Sequence, residues 1–256
     1  MTYQTPAHAL EDWFMTPLGQ TILQWEREKN ESIVSNAFGY HAVQIGMPSV
    51  NFLRSNRMRT KTILTEQTPD SYEVNDNLQY LQGSVEKIPL PSDSVDLVVL
   101  PHTLELNDNP HAILREIDRV LVHDGRLVIM GFNPRSLWGL CNLCGLHTVT
   151  PIKNPQQVSV SRVKDWLQLL SFEIDRGHFG AYIPPCRTAK WLKRWDFMNK
   201  AGNRWWPAAG AVYILSAKKY TVNMRLIGPA WRRKKRNERQ AASVAQKLTE
   251  KASHKE

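Results

Sequence analysis

The sequence predicts a doubly wound α/β fold, in which helices cover both faces of a mostly parallel sheet. The first observation is the apolar, Val-rich run Ser94–Leu100, which contains no Gly or Pro and is typical of a strand buried on both faces. A helix signal follows this run, and a second short apolar run, Arg126–Met130, follows the helix. This strand, helix, strand order predicts two parallel strands joined by a right-handed crossover.

The helix between the two strands is marked at both ends. Asn109 is a suitable N-cap, and Pro110 suits the first turn because an N–H is unpaired there in any case. Apolar side chains then recur at helical spacing, at Ile113, Leu114, Ile117, Val120 and Leu121. Asp124 and Gly125 are expected to end the helix, with Gly125 in the left-handed conformation.

Weaker patterns on either side of this unit predict the rest of the sheet. Strands are expected at His41–Pro48, Lys61–Glu66, Leu78–Gln82, Phe172–Phe179 and Gly210–Lys218. Helices are expected in Met1–Ala37, Ser49–Arg59 and Val158–Leu170, with a helix or lid at Leu137–Leu146 and an irregular segment at Gln67–Asn77. Ligands of such sheets bind at the carboxyl ends of the strands, which predicts a site at Leu100–Glu105 and Gly131–Pro134.

The N-terminal helix has one clear apolar face. Leu18, Ile22 and Trp25 share that face, and Glu26 is placed on or near the polar side. We expect this helix to pack under the edge of the sheet.

The chain divides into three predicted parts. Residues 1–37 form an N-terminal helical extension, and residues 38–227 form the α/β domain with a lid-like insert at 180–207 before the last strand. Residues 228–256 form a basic tail, predicted to be disordered. The tail holds nine Lys and Arg against three Asp and Glu, which accounts for most of the formal net charge of +9.

The cysteine count and the hydropathy pattern predict the cellular compartment of the protein. The three cysteines give no disulfide framework and suit a reducing compartment. Cys141 and Cys144 have the spacing of a metal or redox pair, but no second Cys pair or Cys/His cluster nearby completes four ligands, so we expect ordinary cysteines and no metal. No apolar run is long enough to span a bilayer. We expect a cytoplasmic protein without a membrane span.

The stretch Tyr80–Pro134 combines a Pro-rich loop, a strand, a helix and an Asp-Gly turn. The residues that carry the combination are Gly83, Glu86, Ile88–Pro91, Ser94–Val98, His102, Leu104, Glu105, Arg119–Leu121 and Gly125–Leu127. In this order they resemble the class I S-adenosylmethionine-dependent methyltransferases, in particular the UbiE-like (type 11) group and its YafS-type branch. The close match covers about a fifth of the chain.

This resemblance implies a Rossmann-like, seven-stranded methyltransferase sheet that holds S-adenosylmethionine at the ends of its first four strands. By position, Gly46 corresponds to the first glycine of the family's Gly-rich loop. Glu66, twenty residues later, corresponds to the acid that binds the ribose hydroxyls. Ser84 and Val85 correspond to the positions beside the adenine.

The chain departs from the family pattern in two places. The family commonly has an Asp-x-Gly-x-Gly loop, whereas Gln44–Pro48 has one glycine and no acid. Gln44 can hydrogen-bond the cofactor but cannot neutralise its ammonium group, and Met47 and Pro48 are expected to obstruct or reshape the loop. Ser84 replaces a frequent Asp, which removes a charged acceptor for the adenine amino group.

The resemblance places Pro101 and His102 after the fourth strand, facing the methionine moiety and the substrate. His102 is the candidate catalytic residue, as general base or substrate anchor, with a structural, hydrogen-bonded histidine as the alternative. Glu105 is expected to support the loop or to act as an N-terminal helix charge. Since the sulfonium methyl is already activated, methyl transfer mainly requires that donor and acceptor be held in line without water.

Two functions are compatible with these features. The favoured one is S-adenosylmethionine-dependent methyl transfer to an unidentified acceptor, with a small molecule favoured and lipid quinone, RNA and protein left open. The alternative is a non-catalytic methyltransferase-fold protein that contacts RNA or a protein partner through the basic insert and tail. Oligomeric state cannot be read from the sequence.

Overall fold

Short apolar runs form the strands of the sheet, as the sequence predicts. The computed structural model describes residues 6–66, 77–143, 158–183 and 209–220. Within these residues one sheet has seven strands in the order β3-β2-β1-β4-β5-β7-β6. The strands are β1 (His41–Ile45), β2 (Thr60–Thr65), β3 (Leu78–Gln82), β4 (Val95–Pro101), β5 (Leu121–Phe132), β6 (Phe172–Gly180) and β7 (Val212–Lys219). Strands β1 to β5 pair in parallel, and β7 is antiparallel to β5 and β6. This confirms the predicted fold class.

The described helices flank this sheet. They are α1 (Pro6–Phe14), α2 (Pro17–Val34), α3 (Thr103–Leu106), α4 (Pro110–Val120), α5 (Leu137–Leu143) and α6 (Val160–Leu169). In the part of the chain that the structure describes, no helix combines the length and the apolar character that crossing a membrane requires.

Helix α4 begins as predicted and ends differently. The Asn109 side chain accepts the N–H of Ala112, and the helix starts at Pro110. It stops at Val120 because Leu121 already pairs with Val95. The sequence predicts a left-handed conformation for Gly125, but Asp124 adopts it instead, with φ 61°. The glycine at 125 is needed for space instead, since a Cβ there would lie 2.7 Å from the Leu121 side chain.

The helix predicted over Ser49–Arg59 does not form; this segment is fully described and consists of turns and irregular backbone. Amide side chains hold its backbone in place. Asn56 donates to the carbonyls of Val34 and Ala37 and accepts the N–H of Met58. Such side-chain bonds compete with the helical ladder, which explains why the prediction was wrong.

Helices α1 and α2 pack against a face of the sheet and not under its edge. One apolar core joins them to central strands; it includes Leu10, Phe14, Ile22, Ile33, Ala42, Leu97, Val99, Val128, Met130 and Ile214. Glu26 of α2 is fully buried, contrary to its predicted place on the polar side. Helical spacing explains the burial, since Glu26 follows Ile22 by four residues and therefore shares its face.

Several predictions concern residues outside the described ranges. These are the segment 67–76, Cys144, nearly all of the insert at 180–207 and the tail at 228–256. The domain boundaries at 37/38 and 227/228 stay predictions.

Candidate cofactor site

Strands β1 and β4 are neighbours at the centre of the sheet, and their connections leave in opposite directions. The crevice at the carboxyl ends of such a strand pair is the usual ligand site of a doubly wound sheet. Gly46 follows β1 here and Pro101 ends β4. Thr103 joins them, because its hydroxyl donates to the carbonyl of Ile45 at 2.5 Å and lies 3.3 Å from the carbonyl of Pro101.

Gly46 is needed at this point for two reasons. Its φ of +89° is a conformation that residues with a Cβ rarely adopt. A Cβ there would also lie 2.9 Å from the Thr103 hydroxyl. The loop after β1 therefore packs closely against Thr103 at its single glycine.

Three of the predicted cofactor residues meet at the end of β2. The Glu66 carboxylate is exposed and accepts the N–H of Val85 at 3.3 Å. Val85 is buried, and Ser84 beside it is exposed. An accessible carboxylate beside a buried apolar side chain suits a ribose with an attached base. These residues are chemically compatible with the nucleoside half of S-adenosylmethionine, and their contact with it stays a prediction.

The Pro-rich loop after β3 is held by an ion pair on α4. Arg119 donates to the carbonyls of Ile88 and Leu90 at 2.9 and 3.0 Å, and it pairs with Glu116 at 2.8 Å. Glu116 in turn accepts the N–H of Ile88 at 3.1 Å. The pKa of Glu116 is lowered, mainly by its hydrogen bonds with Arg119. Helix α4 thereby fixes the loop that begins just after Val85.

The Gln44 side chain is bonded to the backbone of the loop that follows β1. Its Nε2 atom lies within 3.0 Å of the carbonyl oxygens of Gly46, Met47 and Val50, and its Oε1 atom accepts the N–H of Phe52 at 2.9 Å. The side chain is fully buried. Both polar atoms are therefore engaged within the protein, so Gln44 shapes the loop. Its direct contact with a cofactor stays a prediction.

Met47 lies in the same loop. It adopts a left-handed φ of 47°, and its side chain is buried in the core shared with α1 and α2. The side chain is directed into that core and does not project into solvent.

His102 is fully buried, with 0% of its surface exposed. Its Nε2 lies 2.9 Å from Oε1 of Glu26, and its Nδ1 lies 3.3 Å from Oε2 of Glu105. The ring also packs against Phe132, at 4.5 Å between centroids, and against Phe14, at 5.5 Å. His102 thus points toward the N-terminal helices, and no part of its ring is exposed to a substrate in this structure.

The electrostatics of His102 argue against a base. Burial by itself lowers the pKa of His102, but the charge of Glu26 and the hydrogen bonds with Glu105 and Glu26 raise it to about 10. The imidazole is therefore protonated at neutral pH, and a protonated imidazole cannot accept a proton. The geometry favours the structural histidine that the sequence leaves as an alternative.

Sequence reasoning missed Glu26 and Thr103 as members of this site. Glu105 is expected from the sequence to support the loop, and it does: it accepts the N–H of Phe132 as well as contacting His102. Burial raises the pKa of Glu105, against the effect of its bond with His102. Among the described residues no group of three or more His, Cys, Asp or Glu could hold a metal ion, and Cys141 is free.

The sequence of the chain is similar to known proteins. A family model described as a methyltransferase domain matches residues 53–129, which excludes the loop at Gln44–Pro48. The chain is 32% identical over 218 residues to YafS, an uncharacterized protein of Escherichia coli K12, and the match covers 84% of this chain and 82% of YafS. The chain belongs to the class I S-adenosylmethionine-dependent methyltransferases. Within this family it is a relative of YafS.

Solved structures share the class I methyltransferase fold. One is a Haloferax volcanii methyltransferase in complex with the Trm112 methyltransferase activator, with a TM-score of 0.60 and 15% identity over 86% of this chain and 100% of that chain. Another is an S-adenosylmethionine-dependent methyltransferase of Thermotoga maritima, with a TM-score of 0.59 and 16% identity over 84% of this chain and 99% of that chain. At these identities the likeness concerns the fold.

Proposed function

We propose that this methyltransferase binds S-adenosylmethionine and transfers its methyl group to a small-molecule acceptor. The observation that carries the proposal is the Glu66 carboxylate at the end of β2, in contact with the Val85 N–H and next to the β1/β4 crevice. The sheet order and the family support the same function.

Each half of the site has a proposed role. Glu66 binds the ribose hydroxyls through its carboxylate, and Ser84 and Val85 border the adenine. Gly46 and the carbonyl of Pro101 contact the methionine moiety. The two halves lie on neighbouring strand ends, so one extended ligand can reach both.

When bound, S-adenosylmethionine supplies a methyl group that its sulfonium already activates. The chain then has to orient donor and acceptor and to exclude water. Gln44 contributes by holding the loop after β1, and Arg119 contributes by holding the loop after β3. We assign no base to His102, because it is buried and both of its ring nitrogens face carboxylates of the protein.

A calorimetric titration of the full chain with S-adenosylmethionine tests the proposal. The wild type should bind, and Glu66→Gln should bind about tenfold or more weakly, since a hydrogen bond to a charged group is lost. Glu86→Gln is the matched control, because Glu86 is an exposed acid on the neighbouring loop. Absence of wild-type binding at millimolar ligand would contradict the proposal.

A second candidate is a methyltransferase-fold protein that acts by binding a partner. It is favoured by one observation, the likeness to a methyltransferase solved in complex with the Trm112 activator. Salt-sensitive RNA binding, or capture of a protein partner, that disappears when residues 230–256 are deleted would support it if S-adenosylmethionine does not bind. A cytoplasmic location is proposed for both functions.

A further inference from the structure

Glu26 has an unusual position for a carboxylate. It lies in the middle of α2 and is fully buried. Its Oε1 atom pairs with His102, but its Oε2 atom has no hydrogen-bond partner among the described residues. Burial of a carboxylate is costly unless it is paired, and a carboxylate with one unpaired oxygen is paired only in part. The position therefore gains little stability from this residue compared with an apolar side chain.

A continuous chain of contacts leads from Glu26 to the ends of two strands. Glu26 contacts His102, which directly follows β4, and His102 contacts Glu105 of α3. Glu105 accepts the N–H of Phe132, the last residue of β5. With both ring nitrogens of His102 protonated, each N–H donates to one of the two carboxylates. Helix α2 is thereby tied to the carboxyl ends of β4 and β5.

His102 also has an unusual backbone. Its φ of 54° and ψ of 9° lie in the left-handed region, which a non-glycine residue adopts only when its surroundings hold it there. The backbone bonds of the turn are made, because the His102 N–H donates to Met130 and its carbonyl accepts from Glu105. The contacts of its side chain with two carboxylates, together with its packing against Phe14 and Phe132, hold this conformation.

The left-handed backbone of His102 determines how the adjacent residues, Pro101 and Thr103, are oriented at the cofactor site. Pro101 precedes His102, and Thr103 follows it. The Thr103 hydroxyl donates to the carbonyl of Ile45, lies near the carbonyl of Pro101, and is the atom closest to where a Cβ of Gly46 would be. A change of the His102 backbone would therefore move Pro101 and Thr103 at the β1/β4 crevice.

We propose that Glu26 is a positioning residue for the cofactor site, because it holds the His102 turn through which helix α2 is coupled to Pro101 and Thr103. Glu26 itself touches none of the proposed cofactor contacts. The proposal rests on the proposed function, since it concerns affinity for S-adenosylmethionine. It implies that docking of α2 and binding of S-adenosylmethionine favour each other, as any coupling between two sites must be reciprocal.

The test compares S-adenosylmethionine affinity of the full-length wild type, Glu26→Gln and Glu31→Gln by calorimetry. Glu26→Gln keeps the shape of the side chain and removes its charge. Glu31 is an exposed acid of the same helix and serves as the matched control. We expect Glu26→Gln to bind about tenfold more weakly and Glu31→Gln to bind as the wild type does. The titrations are run under conditions in which circular dichroism shows that every variant is folded. Under such conditions a loss of stability by itself does not weaken binding.

Hydrogen exchange of the wild type provides a second measurement that needs no variant. Addition of S-adenosylmethionine should slow exchange in α2 as well as in residues 101–106. Equal affinity of folded Glu26→Gln and wild type overturns the positioning role and leaves the proposed function intact. If Glu26→Gln does not fold, the positioning role is overturned when S-adenosylmethionine leaves hydrogen exchange in α2 of the wild type unchanged. A wild type that does not bind S-adenosylmethionine overturns the proposed function itself.

Discussion

The indole ring of Trp25 packs directly onto the backbone of Gly180, and a Cβ at position 180 would overlap the ring. This contact docks α2 onto the end of β6, which pairs with β7. A glycine at this position is therefore a requirement of space.

Gly180→Ala should lower the free energy of unfolding by about 1–3 kcal/mol, because the added methyl group must displace Trp25 in a packed interface. Urea denaturation followed by circular dichroism measures the change. Gly177→Ala in the same strand is the control, since among the described residues a Cβ there would meet only the flexible end of the Leu215 side chain, at 3.3 Å. Equal stability of the two variants would show that the contact between Trp25 and position 180 is not tight.

Gln44→Glu restores an acid where the methyltransferase family commonly has one, and we expect it to harm the protein. The new oxygen would face the carbonyls of Gly46, Met47 and Val50, which now surround an amide donor. Loss of these bonds in a buried site should cost about 2–4 kcal/mol of stability. Gln79→Glu, on an exposed strand position, is the control in thermal unfolding. Unchanged stability together with tighter S-adenosylmethionine binding would show instead that position 44 contacts the cofactor directly.

Arg119→Lys should loosen the Pro-rich loop, because a lysine cannot donate to Ile88, Leu90 and Glu116 at once in the planar geometry of arginine. We expect a loss of about 1–2 kcal/mol in stability and weaker binding of S-adenosylmethionine, measured by chemical denaturation and calorimetry. Arg115→Lys, on the exposed side of the same helix, should leave both unchanged. A variant at 119 with wild-type affinity would show that the loop keeps its conformation without the arginine's simultaneous bonds to Ile88 and Leu90.

Stability should fall at alkaline pH because of His102. Its pKa is raised in the folded protein to about 10, from 6.5, so its contribution is complete below pH 6.5 and is lost as pH rises through 10. The raised pKa of buried Glu105 acts in the same direction above its usual value of 4.5. Urea denaturation between pH 6 and pH 10 measures the slope.

His102→Gln should reduce this slope, and it should cost about 3–5 kcal/mol at pH 7 because two buried carboxylates lose their cation. His123→Gln, at an exposed position of β5, is the control and should keep the wild-type slope. A wild-type slope in His102→Gln would assign the alkaline loss to groups other than His102.

The sequence by itself determined the fold class and most of the strands of the sheet. Strand β4 is a continuous apolar run, and Asn109 and Pro110 start α4, because such signals depend on near neighbours in the chain. The position of Glu66 at the end of β2 could be predicted for the same reason. Its separation from Gly46 along the sequence is one connection plus one strand.

Only the tertiary structure decided the conformation of the segment after β1 and the surroundings of His102. The helix expected after β1 is displaced by bonds from Gln44, Asn30 and Asn56, which reach backbone groups up to 22 residues away. The sequence shows that His102 directly follows β4, and that position alone makes it a candidate base. Its protonation depends on Glu26, which lies 76 residues away and which the sequence places on the polar side of its helix. The charge state of a buried group follows from which partners the fold brings to it, and no local pattern contains that information.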